Sequence, residues 1–303
     1  MSVSEQSIAA LLSKVESLRN ARIRELQYHS QSLFPLYRLR VELDAGESNP
    51  VAERLDLAVK LVASENMART ESDALIELQK HGGPVPHCYG YAAGNGQAAI
   101  FMRFIERGRG DGDRLMHDLM QLYAHGNDRY GWAEENFIGT LHQPNGWYEH
   151  FADFWWRARI QPQFALARKK GRLSDALEQR LEAVVYHCAA RWNLASIGPR
   201  LIHGDLWSGN VLPASDGRML LIDPSIAWGH PEQDLAMLDL FGSPLSLQQM
   251  ERISLEIGMM PGLVHRIPYW QIYPLLVHVN IFGGSYATSL ERAVRHCEED
   301  AAQ

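Results

Sequence analysis

Alternating apolar and polar residues near the N-terminus predict a small antiparallel sheet. ARIRELQYHSQSLFPLYRLRVEL, residues 21–43, has the two-residue period of a strand and predicts two strands around a turn near Ser30 to Pro35. ERLDLAVKLVA, residues 53–63, predicts a third strand, and QAAIFMRFI, residues 97–105, predicts another. These four predicted strands indicate a strand-rich N-terminal part of the chain.

The segment NMARTESDALIELQKHG, residues 66–82, has a helical period instead. Met67, Glu71, Leu75 and Leu78 fall on one face of this predicted helix, whose other positions are mostly polar. Because Glu71 shares a face with three apolar residues, we expect its side chain to point inward.

The C-terminal two thirds of the chain shows mostly helical spacing, with two short strand-like runs at residues 199–212 and 218–228. The glycine- and charge-rich segment ERGRGDGD precedes this part and is typical of a linker. We therefore predict an α+β fold with two lobes, a strand-rich lobe over 1–105 and a larger, mostly helical lobe over 106–303.

Composition and charge narrow the class of protein. Of the 303 residues, 46% are hydrophobic and 21% charged, as in ordinary globular proteins, and the net charge of -7 argues against nucleic-acid binding. The three cysteines, Cys88, Cys188 and Cys297, form no CxxC pair, so neither a disulfide framework nor a zinc site is predicted. With no signal peptide and no long apolar run, we expect a cytoplasmic protein without a membrane span.

The segment LIHGDLWSGNVL, residues 201–212, contains the first candidate chemistry. Asp205 and Asn210 have the spacing of a kinase catalytic loop, in which the aspartate orients the attacking hydroxyl and the asparagine oxygen binds Mg²⁺. His203 is predicted to organise this loop through a hydrogen bond. Eighteen residues after Asp205, Asp223 ends a short predicted strand, where a metal-binding carboxylate is expected.

The same chemistry needs a cation for the α- and β-phosphates of the nucleotide. Lys60, on the third predicted strand, supplies that cation, and Glu71 is its expected partner. Arg103 and Ile105, at the end of the strand over 97–105, are further candidate nucleotide-binding residues.

Simpler interpretations stay open for each of these residues. Asp205 and Asn210 could be turn residues that bond local backbone, and Asp223 could only start a turn before proline. Lys60 and Glu71 could form an ordinary surface ion pair. The aromatic run FADFWW is more typical of a buried helix face than of a ligand cage.

Several long stretches resemble one family of small-molecule kinases. HGDLWSGN, IDPSIAWGHPEQDLAM, and YGWAEENFIG followed by QPNGW are similar to segments of the fructosamine kinases, also called ketosamine-3-kinases. That family belongs to the protein-kinase-like superfamily that includes aminoglycoside phosphotransferases and choline kinases. The resemblance covers much of residues 130–240 and implies a protein-kinase-like two-lobe fold.

The resemblance also implies an activity, namely ATP- and Mg²⁺-dependent phosphorylation of a sugar hydroxyl on a ketoamine, the glycation product of a free or protein-bound amine. By this match Asp205 is the base, and Asn210 and Asp223 hold the metal. Lys60 with Glu71 orients the phosphates.

For substrate binding, the resemblance singles out four further residues. Trp207 looks like an aromatic residue that lies against the sugar, although core packing is an open alternative. His230, Glu232 and Asp234 match the family's segment after the metal aspartate, where contact with the amine and a structural role are both open.

One segment departs from the family pattern. Where the family has a glycine-containing turn over the nucleotide phosphates, residues 28–36 contain no glycine, so Ser30 and Ser32 are the candidates for phosphate contacts. The alternatives to a fructosamine kinase are therefore a kinase of another small alcohol and a catalytically weak pseudokinase that acts as a binding module.

Overall fold

The structure, a computed structural model, describes residues 4–31, 33–43 and 53–301. The chain divides into two compact units, described separately below. Unit 1 comprises Met1–Lys80, Pro84–Gly110 and Leu212–Ile222, and unit 2 comprises His81–Gly83, Asp111–Val211 and Asp223–Gln303.

The secondary structure combines short strands with longer helices. The strands are β1 (Ala21–Gln31), β2 (Pro35–Leu43), β3 (Glu53–Val62), β4 (Cys88–Gly94), β5 (Gln97–Arg103), β6 (Tyr130–Trp132), β7 (Asn136–Ile138), β8 (Leu141–Gln143), β9 (Gly146–Tyr148), β10 (Arg200–Ile202), β11 (Val211–Pro213), β12 (Met219–Leu221) and β13 (Ala227–Gly229). The helices are α1 (Glu5–Leu12), α2 (Glu65–Lys80), α3 (Gly112–Tyr123), α4 (Phe151–Phe154), α5 (Gln161–Lys169), α6 (Ala176–Arg191), α7 (Glu232–Leu240), α8 (Leu247–Glu256), α9 (Leu263–Phe282) and α10 (Tyr286–Ala301).

Unit 1 is built on an antiparallel five-stranded sheet in the order β1-β2-β3-β5-β4. Alternate residues of β2 and β3, such as Leu39, Val41, Leu57 and Val59, are buried in one apolar cluster, which also includes Ile8 of α1. Helix α2 packs against β3, β4 and β5. The two-residue period that predicts the strands therefore reflects burial of one side of each strand.

The segment Leu212–Ile222 belongs to unit 1, whereas the sequence predicted it in the C-terminal lobe. Its strands β11 and β12 pair with each other, and backbone hydrogen bonds join it to earlier parts of unit 1. The Leu221 N–H donates to the Pro84 carbonyl at 2.6 Å, and the Gly108 N–H donates to the Pro213 carbonyl at 3.0 Å. Such long-range backbone pairing leaves no hydrophobic period in the sequence.

Unit 2 is mostly helical and contains a short four-stranded sheet in the order β10-β13-β6-β9. Its core is rich in aromatic residues. Phe151, Phe154, Trp155 and Trp156 of the FADFWW run are at most 4% exposed, which confirms the predicted buried helix face. A sheet-based unit and a helical unit together confirm the predicted α+β fold.

No helix in the described part of the chain has the length and apolar character needed to cross a lipid bilayer.

Candidate active site

Two segments of unit 2 lie side by side at the end of the β10–β13 pair. We call them the HGD loop (His203–Asn210) and the DPS segment (Asp223–Ser225). The Ser225 N–H donates to the His203 carbonyl at 2.9 Å. Gly204 has a φ of +82°, and a Cβ atom there would lie 2.1 Å from the Ser225 carbonyl oxygen. Only glycine fits at this position, because both its backbone angle and this close approach exclude a side chain.

The HGD loop folds tightly around Asp205. The Asn210 Nδ2 donates to the Asp205 carbonyl oxygen at 2.8 Å and to its Oδ2 atom at 3.2 Å. The backbone N–H of Trp207 also donates to the Asp205 carbonyl, at 3.1 Å. Asn210 is 5% exposed and Asp205 is half-buried. The structure thus brings the predicted base and the predicted metal-binding amide into direct contact.

Asp223 has an unusual backbone conformation. Its φ is +58°, in the left-handed region, although the next residue is Pro224, and proline favours an extended conformation in the residue before it. A strained residue of this kind costs about 1–3 kcal/mol and persists only where the surrounding structure fixes it. Here β12 ends just before Asp223 and the Ser225 N–H is bonded just after it. This strained conformation sets the position from which the Asp223 carboxylate extends.

The oxygen atoms of Asn210 and Asp223 are of the kind that binds a magnesium ion. Both side-chain hydrogen bonds of Asn210 use Nδ2, so its Oδ1 atom takes part in neither of them and can bind a cation. Asp223, in the DPS segment, has a carboxylate side chain, the other kind of oxygen ligand that the sequence predicts here. Mg²⁺ prefers oxygen ligands and is usually held by one or two protein side chains together with the substrate phosphates.

Asp234, on α7, is a buried support of the HGD loop. Its two carboxylate oxygens accept the backbone N–H groups of His203 and Gly204, each at 2.8 Å, and Oδ2 also accepts the Tyr123 hydroxyl at 3.0 Å. Burial raises the pKa of Asp234 to about 6, although all three hydrogen bonds favour the ionised form. The predicted organiser His203 is itself buried, and its Nδ1 accepts the Asp205 N–H at 3.3 Å.

Glu232 also lies inside unit 2. Arg266 binds its carboxylate in a two-point contact, with Nη2 at 2.6 Å from Oε1 and Nε at 2.9 Å from Oε2. Ser254 and the Trp270 indole N–H donate to the same carboxylate, at 2.5 and 2.9 Å. The His230 ring stacks on Trp270 with 4.6 Å between ring centroids.

The sequence singled out His230, Glu232 and Asp234 as substrate-binding residues. The structure buries them at 0%, 0% and 1% exposure, with their contacts inside the chain. Asp234 is bonded to the HGD loop, whereas Glu232 and His230 contact Arg266, Ser254 and Trp270 inside unit 2. Burial favours a structural role, the second of the two roles that the sequence left open. The pattern of apolar and polar residues did not predict the burial of these three side chains, because charged residues that are buried in a helical core look like surface residues in the sequence.

A buried polar network, which sequence reasoning did not assign, supports the DPS segment. The Gln143 Nε2 donates to the Ser225 hydroxyl and to the Asn136 Oδ1, both at 2.8 Å. Asn136 in turn donates to the Ile226 carbonyl at 3.0 Å, and the Tyr273 hydroxyl donates to the Gln143 Oε1. The available signal was the presence of two amide side chains, Asn136 and Gln143, within the family-like stretches YGWAEENFIG and QPNGW.

Arg159 extends this network. It is 2% exposed, and it donates to the Pro144 carbonyl at 3.1 Å and to the Asn145 Oδ1 at 3.0 Å. Burial lowers the pKa of Arg159 to about 10. A buried cation held by neutral acceptors fixes the QPN segment in one conformation.

Trp207 is not part of the core. Its side chain is 39% exposed, and its ring contacts Phe241 edge to face with 6.1 Å between centroids. The alternative of core packing is therefore wrong, and an accessible aromatic surface lies two residues from Asp205.

In unit 1, Lys60 on β3 and Glu71 on α2 form a close ion pair. The Lys60 Nζ lies 2.7 Å from Oε1 and 2.6 Å from Oε2 of Glu71. The two side chains are only 10% and 14% exposed, so this is not an ordinary surface pair. The helical face predicted for Glu71 is the one that the structure turns toward the sheet.

For the other residues predicted to contact the nucleotide, the structure gives position and burial. Arg103 ends β5 with an exposed side chain, and Ile105 follows it, half-buried. Ser30 lies in β1 opposite Leu36 of β2. Ser32 lies outside the described residues.

With this geometry in place, comparison with known proteins decides the family. The sequence profile of the fructosamine kinases matches residues 52–300 of the chain. The chain belongs to the fructosamine kinase family. This confirms the resemblance and makes the protein a phosphotransferase that acts on a hydroxyl of a sugar-amine compound.

Individual relatives agree with this assignment. This chain is 32% identical over 228 residues to a protein from Enterococcus faecium named as a probable ketoamine kinase. The match covers 75% of this chain and 81% of that one. This chain is 33% identical over 169 residues to the ketosamine-3-kinase of Mus musculus, covering 56% and 54% of the two chains. A crystal structure from Thermobifida fusca, assigned as a fructosamine-3-kinase, has a TM-score of 0.79 at 28% identity and covers 96% of this chain and 99% of that one.

Proposed function

We propose that this fructosamine kinase family member uses Mg-ATP to phosphorylate a hydroxyl of a ketoamine, the 3-hydroxyl being favoured. Support for the position comes from the ketosamine-3-kinase and ribulosamine 3-kinase names of its relatives. The single observation that carries the proposal is the hydrogen bond between the Asn210 and Asp205 side chains within the HGD loop.

Asp205 acts as the base in this proposal. Its carboxylate accepts the proton of the acceptor hydroxyl as that oxygen bonds to the γ-phosphorus and the bond to the β-phosphate oxygen breaks. The hydrogen bond from the Asn210 Nδ2 holds the carboxylate in one orientation. The backbone N–H groups of His203 and Gly204 donate to the Asp234 carboxylate, which fixes the loop that carries Asp205.

Asn210 and Asp223 hold Mg²⁺ in this proposal, through Oδ1 of the amide and the carboxylate oxygens. When bound, Mg²⁺ neutralises charge that develops on the phosphates during transfer. In unit 1, Lys60 contributes a cation to the α- and β-phosphates, and Glu71 orients it.

A direct assay tests the proposed function. Purified protein is incubated with Mg-ATP and fructoselysine, and the product is followed by mass spectrometry and ³¹P NMR. We expect a phosphorylated sugar at the 3-position. A panel of an aminoglycoside, choline and free fructose measures acceptor choice, and turnover of one of these but of no ketoamine would overturn the ketoamine assignment. A folded protein that turns over no acceptor and shows no thermal shift with Mg-ATP would support a pseudokinase.

The ion pair in unit 1 gives a separate prediction. Glu71→Gln leaves the Lys60 cation without its carboxylate partner, so the ammonium is no longer held in one position. We expect kcat/KM for ATP to fall by about 10- to 100-fold, since small displacements of a positioning group have effects of this size. Steady-state kinetics with varied ATP measures the change.

Asp73→Asn is the matched control on the same helix. Asp73 pairs with Arg69 at 3.3 Å, and its side chain is 55% exposed. We expect its kcat/KM for ATP to stay within about twofold of wild type, because an exposed pair of this kind contributes little. Equal effects of the two substitutions would contradict the role given to Glu71.

A further inference from the structure

Five ring side chains of unit 2 form a continuous row that begins in the HGD loop. We call the set Trp207, Phe241, His278, Phe282 and Tyr286 the aromatic row. Successive rings contact each other, with centroid distances of 6.1 Å from Trp207 to Phe241 and 4.5 Å from Phe241 to His278. His278 then lies 5.4 Å from Phe282 and 5.0 Å from Tyr286.

The first part of the row is fixed by the HGD loop itself. The Ser208 hydroxyl donates to the Phe241 carbonyl at 3.1 Å, which ties the end of α7 to the loop. A Cβ atom at Gly209 would lie 2.2 Å from the Trp207 ring, so the ring packs directly on the Gly209 backbone. The row therefore starts on the same rigid loop as Asp205.

Much of the row is accessible. Phe282 is 62% exposed and Trp207 is 39% exposed, while the other three rings are half-buried. A run of contacting aromatic rings that is exposed at both ends and half-buried between them is typical of a surface that binds a partly apolar ligand. The row is continuous with the HGD loop, which contains the proposed base Asp205, and this continuity favours the acceptor as the occupant.

His278 keeps the middle of the row suited to a cation. Its Nδ1 lies 2.8 Å from the Pro274 carbonyl, which can only accept, so Nδ1 carries the proton and Nε2 is the acceptor of the neutral ring. Burial lowers the pKa of His278, which favours this neutral form. The other four rings of the row are one indole and three benzene-type rings, and such rings attract an alkylammonium group through their π-faces.

We propose that the aromatic row binds the amine part of the ketoamine, namely its protonated nitrogen and the alkyl chain attached to it. This inference rests on the proposed function. In a ketoamine the nitrogen is on carbon 1, two carbons from carbon 3, so a 3-hydroxyl at Asp205 keeps the nitrogen within a few bonds of the HGD loop, to which Trp207 belongs. The alkyl chain then follows the rings toward Phe282, and the enzyme selects acceptors with a long alkyl or lysyl side over short ones.

The test compares two acceptors that share the sugar and the cation but differ in the chain. One is fructose joined to the ε-nitrogen of Nα-acetyl-lysine, and the other is fructose joined to methylamine. We expect Phe282→Ala to raise KM for the lysine compound about tenfold, the loss of contact with roughly two methylene groups. KM for the methylamine compound, KM for ATP and kcat should each change less than about twofold. Phe282→Leu, which keeps apolar bulk without the π-face, should fall between wild type and Phe282→Ala.

Val264→Ala is the matched control, since Val264 is 54% exposed on the same helix α9 but outside the row. It should change neither KM. Equal changes for both acceptors, or none for either, in Phe282→Ala would overturn the inference while leaving the proposed function intact.

Absence of turnover with both acceptors in wild type would count against the proposed function instead. In that case calorimetric titration of the lysine compound into wild type and Phe282→Ala tests the row directly. Weaker binding to the variant supports the inference, and equal binding or no binding to wild type overturns it.

Discussion

Asp205→Asn lowers kcat by at least about 100-fold, the range expected when a general base is removed. Asparagine has nearly the same shape, and its carbonyl oxygen can still accept the hydrogen bond from Asn210. It cannot take up the proton of the acceptor hydroxyl. The loop geometry should therefore be kept while the chemical step is lost, with KM for ATP within about threefold of wild type.

Single-turnover and steady-state kinetics at saturating Mg-ATP and ketoamine measure this effect. Asp216→Asn is the matched control, because it makes the same chemical change in an exposed residue that pairs with Arg218 at 2.7 Å. It should leave kcat unchanged. A kcat of Asp205→Asn within tenfold of wild type would remove Asp205 from the role of base.

The part of the site that the sequence predicts best is local in the chain. Asp205 and Asn210 are five residues apart, so their spacing predicts that they share one loop, and the structure adds the hydrogen bond between their side chains. Glu71 is also predicted from a local pattern, since it lies on the apolar face of α2, which orients its side chain inward. In both cases the geometry of a single element, or of two consecutive ones, determines the result.

What the sequence does not predict depends on contacts between distant residues. The bonds from Asp234 to the HGD loop span about 30 positions, and those from Gln143 to Ser225 span 82. No periodicity encodes such pairs. The aromatic row is a second example, because Phe241 and His278 link Trp207 to Phe282 only after α7 and α9 have packed.

Composition also hides one strand. CYGYAAG forms β4, although glycine and alanine have low strand propensity and no alternation of apolar and polar residues is present. It becomes a strand because it pairs with β5, with Tyr91 opposite Ile100. Tertiary pairing here outweighs the local preference of the residues.

Glu232→Gln lowers the free energy of unfolding by about 3–5 kcal/mol, the effect expected when one partner of a buried ion pair is removed. The substitution leaves the Arg266 guanidinium, 3% exposed as a residue, without a negative charge. The amide NH₂ group of glutamine would also face the donors of Arg266, Ser254 or Trp270. Equilibrium unfolding in urea measures the change, and ligand-free protein is used so that binding does not contribute.

Glu178→Gln is the control, since Glu178 makes an exposed pair with Arg168 at 2.9 Å and should lose less than about 1 kcal/mol. The pH dependence gives a second, independent check. Burial raises the pKa of Glu232, but the hydrogen bonds from Arg266 and the nearby positive charge outweigh burial and lower it overall. The stabilisation that Glu232 adds is therefore complete above its pKa in the unfolded chain, about 4.3. It is lost as the pH falls through its lower pKa in the folded protein.

The difference in unfolding free energy between wild type and Glu232→Gln should accordingly be constant near neutrality and shrink in acid. The contribution of Asp234 to the free energy of unfolding depends on pH in the opposite direction. Its pKa is raised to about 6, so that contribution is lost as the pH rises through this value. Since Asp234 is present in both proteins, its contribution cancels in the difference. A difference that grows in acid, or a loss no larger than that of Glu178→Gln, would show that the ion pair does not support the core of unit 2.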